Sequence, residues 1–177
     1  MPDTINIGQA VLTLDEVMTH PLWPRLTAVL RETLVPGWVQ DQHRAAVTEM
    51  RDRLDTRMAA GQLQQPPLVI QDHPGWLRLG VLDTLIRWLA SQSSVCLHNP
   101  NPARVQPIMG AAWRPGLVTC GSCTHLFCLP HGSPQERTCD GCGHVTDSPT
   151  GICPGLVHFG AFTYLFGVCT DCRYWAT

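Results

Sequence analysis

The sequence predicts an α+β protein: an N-terminal helical domain over residues 1–95, followed by a small β-rich, Cys/His-rich module over residues 96–177. Three observations carry this. Apolar residues recur with helical period up to about residue 90, short apolar runs set among Gly and Pro replace them after residue 95, and all nine cysteines lie in the second part. A chain of 177 residues suits one ordinary domain, or a helical part joined to a small one that needs help to fold.

In chain order, Thr13 to Glu16, "TLDE", fits a capping box that opens a short helix. In "PLWPRLTAVLRETL", Leu22, Leu26, Val29, Leu30 and Thr33 follow the 3.6-residue spacing, and Gly37 after Pro36 predicts the stop. The strongest helical pattern is "WVQDQHRAAVTEMRDRLDTRMAAG". Val39, His43, Ala46, Val47, Met50, Leu54 and Met58 form one apolar stripe, and Glu49/Arg53 and Arg51/Asp55 stand at i,i+4 on the polar faces. His43 on that stripe reads as a tucked core histidine rather than a ligand. "PPLVIQDHPG" reads as a linker, because its prolines forbid a continuous helix. "WLRLGVLDTLIRWLASQ" is apolar on most sides, which places it centrally, between the earlier helices and the cysteine-rich part.

Residues 148–170 carry no charge, and "GICPGLVHFGAFTYLFGVC" is long enough to suggest a membrane span. Pro154, His158 and several glycines interrupt it, whereas a span wants about 20 cleaner residues, so a buried β-hairpin is expected and no membrane partner.

The net charge of −2 arises in the first part, where eight Arg face ten acids; the second part balances four against four. A neutral module lacks the basic stripe that phosphate neutralisation requires, so nucleic acid is a possible but not a favoured partner. Every basic residue is Arg, which excludes chemistry that needs a lysine, such as a Schiff base or a phosphate-loop lysine. "MPDTINIGQAVLTLDE" has no basic start followed by an apolar run, so no secretory signal is expected. Nine Cys, an odd number, then argue against a disulfide framework and for a reducing, cytoplasmic setting.

Three CxxC pairs stand at Cys120/Cys123, Cys139/Cys142 and Cys169/Cys172, and "CLH" adds Cys96 with His98. Four pairs of soft donors fill two tetrahedral sites, and two structural Zn2+ ions are the economical reading. Short strand-like runs, "GLVT" and "FTYLFGV", lead into Cys120 and Cys169.

Residues 139–172 resemble a zinc ribbon: a CxxCG knuckle, a hairpin and a second CxxC. The resemblance covers about a fifth of the chain, is one of motif rather than family, and implies a metal-held fold of zinc-ribbon type without implying a substrate. In "LVHFGAFTYLF", Gly160 and Ala161 suit a two-residue Gly-X turn, which sets Phe162, Tyr164 and Phe166 on one strand face.

The favoured grouping is Cys96, His98, Cys120 and Cys123 in one site and Cys139, Cys142, Cys169 and Cys172 in the other. Pairing Cys120/Cys123 with Cys139/Cys142 is the rival, and a crossed, RING-like pairing a third arrangement. His98 is placed by its position beside Cys96, with Cys128 as the substitute. Cys128, His131 and Cys153 remain; they form a third, open zinc site or else serve as small buried residues and a loop cap.

A redox CxxC needs a helix N-terminus in a βαβ setting, and turns and short strands surround these pairs instead. The sequence contains no HExxH, GxSxG, GxGxxG, phosphate loop or HxE. The expected function is therefore a non-enzymatic, zinc-binding protein-interaction protein. Tyr174 and Trp175 in "RYWAT" either anchor the partner or pack under the last knuckle. The alternatives are a nucleic-acid binder that gathers Arg104, Arg114, Arg137 and Arg173 on one face, and an enzyme built on Cys128 and His131.

Overall fold

The structure, a computed structural model, describes residues 6–64, 66 and 70–175. Among them are helices α1 (Ile7–Thr19), α2 (Trp23–Leu34), α3 (Gly37–Ala59) and α4 (Gly75–Leu89). Strands β1 (Ser94–Val95), β2 (Ile108–Ala111), β3 (Leu117–Cys120), β4 (Ile152–Phe159) and β5 (Phe162–Cys169) follow. The chain is α+β, with its helices first and its sheet in the cysteine-rich part.

Helix α1 begins six residues before the expected capping box. Asn6 is its N-cap, its side-chain oxygen accepting the amide N–H of Gln9 at 3.2 Å, and Thr13 lies inside the helix. Gly37 is likewise not a stop but the first residue of α3. The break falls at Val35, in extended backbone (φ −100°, ψ 117°), because Pro36 disfavours a helical conformation in the residue before it. The apolar stripe of α2 exists but is not covered: Leu22, Leu26 and Leu30 are exposed, while Trp23 packs onto the core.

The sheet has the order β1-β3-β2-β5-β4. β2 and β3 pair antiparallel, as do β4 and β5, while β2 runs parallel to β5 with Ile108 opposite Phe162. β1 pairs parallel with β3. The uncharged run is thus a hairpin, as expected, and Gly160 at its turn takes φ +62°, a conformation glycine accepts without strain. Among the described residues no helix is long and apolar enough to cross a membrane.

Strand alternation sends side chains to two opposite cores. Ile108, Val118, Val157, Phe162, Tyr164, Phe166 and Val168 pack with Leu77, Val81 and Leu82 of α4 and Ile7, Val11 and Met18 of α1. Met109, Ala111, Leu156 and Leu165 pack on the other side with Met50 and Leu54 of α3 and with Phe127. Helix α4 is central, as its all-round apolar character predicts, with α1 outside it and Arg78 bound to Asp15 at 2.9 Å. The helices therefore flank the sheet on both faces, and each buried cluster draws on residues from both sides of position 95. Strand β5 is buried at every position because it is paired on both edges and covered on both faces.

Of the α3 stripe, Ala46, Met50 and Leu54 are buried. His43 is exposed rather than tucked, its Nε2 lying over the Gly160 turn. Glu49 and Arg53 form the expected ion pair at 2.6 Å.

Candidate metal centres

Both hairpins end in a CxxC. β3 delivers Cys120 and turns through 3-10 geometry at Gly121–Phe127, which brings Cys123 back beside it; β5 delivers Cys169 and a 3-10 turn brings back Cys172. The other halves come from turns. Cys96 follows β1, and the chain reverses at once, the N–H of Asn99 donating to the Cys96 carbonyl at 2.8 Å with Asn99 at φ +46°. Cys139 and Cys142 lie in a knuckle closed by Gly143 N–H to the Cys139 carbonyl (2.8 Å) and Cys139 N–H to the His144 carbonyl (2.8 Å). Gly143 takes φ +75°, so the glycine after the pair is the one this turn requires.

The eight donors collect into two groups. Cys96, His98, Cys120 and Cys123 form one, Cys139, Cys142, Cys169 and Cys172 the other, and within each group all donor atoms lie within 4.8 Å of one another. These are the favoured groupings from the sequence; the rival and crossed pairings are not brought together. Because β3 and β5 run in opposite directions, the groups cap opposite ends of the sheet: Cys120 lies level with Phe162, whereas Cys169 lies level with Ile152.

The spacing suits a tetrahedral ion. Bonds of about 2.3 Å to sulfur and about 2.0 Å to nitrogen set neighbouring donors roughly 3.5–3.8 Å apart. His98 Nδ1 lies 3.2 Å from Cys123 Sγ and 3.4 Å from Cys120 Sγ, and Cys142 Sγ lies 3.9 Å from Cys169 Sγ. A disulfide would need sulfurs about 2.05 Å apart. All nine cysteines are free.

The electrostatics point the same way. Burial pushes the Cys139 thiol up, but the amides of Cys169, Cys142 and Gly141 more than offset it and bring the thiol down to about 7. Burial likewise opposes ionisation of Cys96, and the amides of Cys120 and His98 outweigh it, so its pKa falls. In the same groups, burial and the neighbouring thiols push Cys123 up to about 11 and Cys172 up to about 12. Each group therefore holds a thiol whose ionisation backbone amides favour, next to one that resists becoming a second like charge. A divalent cation removes that conflict, since it favours every thiolate at once. Two Cys/His clusters with zinc-ribbon-like geometry are thus present, compatible with structural zinc.

Asp140, inside the second knuckle, joins it to β5. Its N–H donates to the Gly167 carbonyl (2.8 Å) and its Oδ2 accepts the Gly167 N–H (2.7 Å). Burial holds this carboxyl up at about 6, against the Gly167 amide that lowers it.

The third, open site is not assembled: among the described residues no further group of three potential ligands forms. Cys128 is exposed, His131 is exposed and lies 3.4 Å from Glu136, and Cys153 faces Arg173 Nη1 at 3.8 Å. Tyr174 and Trp175 take the packing alternative. The Tyr174 hydroxyl meets His73 Nδ1 at 2.7 Å, Trp175 Nε1 donates to Gln64 Oε1 at 3.3 Å, and Trp175 lies edge-on to Phe166. Arg137 is occupied with the carbonyls of Thr146 and Asp147 (both 3.4 Å). Sequence reasoning missed Gly121 and Gly141 as contact points for helices; a glycine inside a CxxC was the available signal, and it reads equally well as a plain turn residue.

Comparison with protein-family models, with curated proteins and with solved structures finds no match to this chain. The class of protein defined here is an α+β fold with two four-donor Cys/His clusters.

Proposed function

We propose that this chain is a non-enzymatic zinc protein that serves as an adaptor or accessory subunit. Residues 96–177 act as the metal-held module, and residues 1–95 carry the surface offered to another protein. One observation carries the reading: two closed sets of four donors at opposite ends of one sheet, with every CxxC consumed by them. A closed set leaves no position for substrate, so Cys96, His98, Cys120, Cys123, Cys139, Cys142, Cys169 and Cys172 act as architecture. Each ion contributes on the order of 10 kcal/mol to folding. That is decisive where strands as short as β1, two residues long, must be held in register.

A protein partner is supported by what the surface lacks and what it shows. The module is charge-balanced. Leu22, Leu26, Leu30 and Trp38, at and along α2 and at the start of α3, are exposed apolar side chains available to a partner. A reducing, cytoplasmic setting accords with nine free thiols.

Native mass spectrometry of the purified chain tests the metal reading. Two zinc ions per chain are expected. A metal-free folded protein, or sulfurs joined in disulfides, overturns it, and a third ion bearing an exchangeable water would turn the reading towards catalysis.

A further inference from the structure

Two of the CxxC pairs carry a glycine between the cysteines, Gly121 in the first cluster and Gly141 in the second. Neither has a left-handed φ, so the turn itself does not demand glycine. The missing side chain instead admits a residue from a helix. A Cβ on Gly121 would lie 2.5 Å from Arg53 Nη1 of α3, and a Cβ on Gly141 would lie 3.3–3.4 Å from the indole atoms of Trp76 at the start of α4. Each cluster thus touches one helix, and the two helices lie on opposite faces of the sheet.

A second contact reinforces each pairing. The 3-10 turn through Cys123 ends at Phe127, which is buried with Met50 and Leu54 of α3. The turn through Cys172 leads to Tyr174, whose hydroxyl meets His73 just before α4 begins. Trp175 and Trp76 both stand edge-on to Phe166.

The helices depend unequally on these contacts. Helix α4 buries Leu77, Val81, Leu82 and Thr84 and is covered by α1. Helix α3 has 23 residues but buries only Ala46, Met50 and Leu54, and Phe127 is buried in one cluster with the last two. Each cluster has one exposed and one half-buried ligand, His98 and Cys120 in the first and Cys142 and Cys172 in the second, so the difference between them lies in the helices they hold.

We propose that the two clusters are separate clamps, and that metal in the first one decides whether α3 stays docked on the sheet. This rests on the zinc reading above. Loss of that ion frees the 121–127 turn and withdraws Phe127. Helix α3 then leaves, uncovering Met109, Leu156 and Leu165, while α4 stays in place under the second cluster.

Hydrogen–deuterium exchange on the zinc-loaded full chain, with zinc counted by native mass spectrometry in the same sample, tests this. Substituting Cys120→Ser with Cys123→Ser should lower the count by one ion. It should speed exchange over residues 46–58 by about tenfold or more and leave residues 77–84 unchanged. Phe127→Ala, which keeps every donor and removes the ring buried in one cluster with Met50 and Leu54, guards against a general folding defect. It should retain both ions and speed exchange in α3 alone. A wild-type chain without zinc defeats the zinc reading itself. Correct zinc counts with unchanged exchange in α3, or with equal acceleration of α3 and α4 in both variants, overturn the clamps while leaving that reading intact.

Discussion

The hydroxyl of Tyr174 and Nδ1 of His73 stand 2.7 Å apart, joining the segment after the last knuckle to the residues that lead into α4. His73 is almost fully buried, and among the described residues its Nε2 has no partner, which leaves this bond to anchor the imidazole ring. Removing the hydroxyl leaves a buried ring nitrogen unsatisfied, which costs about 1–3 kcal/mol. Tyr174→Phe should therefore lower unfolding free energy by that amount in urea titration, with the zinc count unchanged. A stability equal to wild type would mean that water replaces the hydroxyl.

The same histidine sets a pH dependence. Burial lowers the His73 pKa, an effect that nearby Asp72 opposes and Arg78 assists. The folded state therefore binds a proton less readily than the unfolded one. No stability is lost above the unfolded pKa of about 6.5, and stability declines as pH falls below it, because the unfolded chain then takes up the extra proton. Thiolate protonation also releases metal in acid, so the measurement is the difference between wild type and His73→Asn at equal zinc loading. That difference should shift in favour of the variant as pH drops from about 7 towards 5. A difference independent of pH would show that His73 does not titrate over this range.

The cysteines divide into ligands and bystanders. Cys128 and Cys153 belong to neither cluster, so Cys128→Ser and Cys153→Ser should each retain two zinc ions. Cys142→Ser or Cys169→Ser should lose one, since three donors leave the tetrahedron open and a structural site owes its affinity to the closed set. A zinc count that falls with Cys128→Ser would place that residue in the first cluster in place of His98.

The donors were legible because the signal is local: a CxxC fixes two sulfurs regardless of what surrounds it, and the "FGAF" turn fixes which distant pair the β4–β5 hairpin returns to. The stripes of α3 and the apolar girth of α4 were legible for the same reason. Periodicity says which face is apolar but not what covers it, and so Leu22 and Leu26 read as core although they are exposed. The parallel pairing of β2 with β5 joins residues more than 50 apart with no turn between them to announce it. β2 itself, "IMGA", is too short to show a period. Helix α1 shows competition between caps: "TLDE" fits the box, but Ile7, Val11, Leu14 and Met18 extend the apolar face back to Asn6, and the longer buried face wins.

Gly155 gives the sharpest test of the packing. It stands opposite Phe166 in the β4–β5 ladder, and a Cβ there would lie 2.5 Å from Phe166 Cζ and 2.7 Å from Cε2. Its φ is not left-handed, so the backbone accepts alanine and the only obstacle is the ring. That ring cannot move aside cheaply, because Phe166 is 1% exposed and is held edge-on by Trp76 on one hand and Trp175 on the other. Forcing a methyl into such a contact costs about 1–3 kcal/mol. Gly155→Ala should therefore lower stability by that amount and perturb the environment of both tryptophans, read as a shift in intrinsic fluorescence. Gly37→Ala, at a helix position where a Cβ meets nothing within 4 Å, should show neither effect. Equal behaviour of the two variants would mean that the aromatic cluster has room that this packing denies.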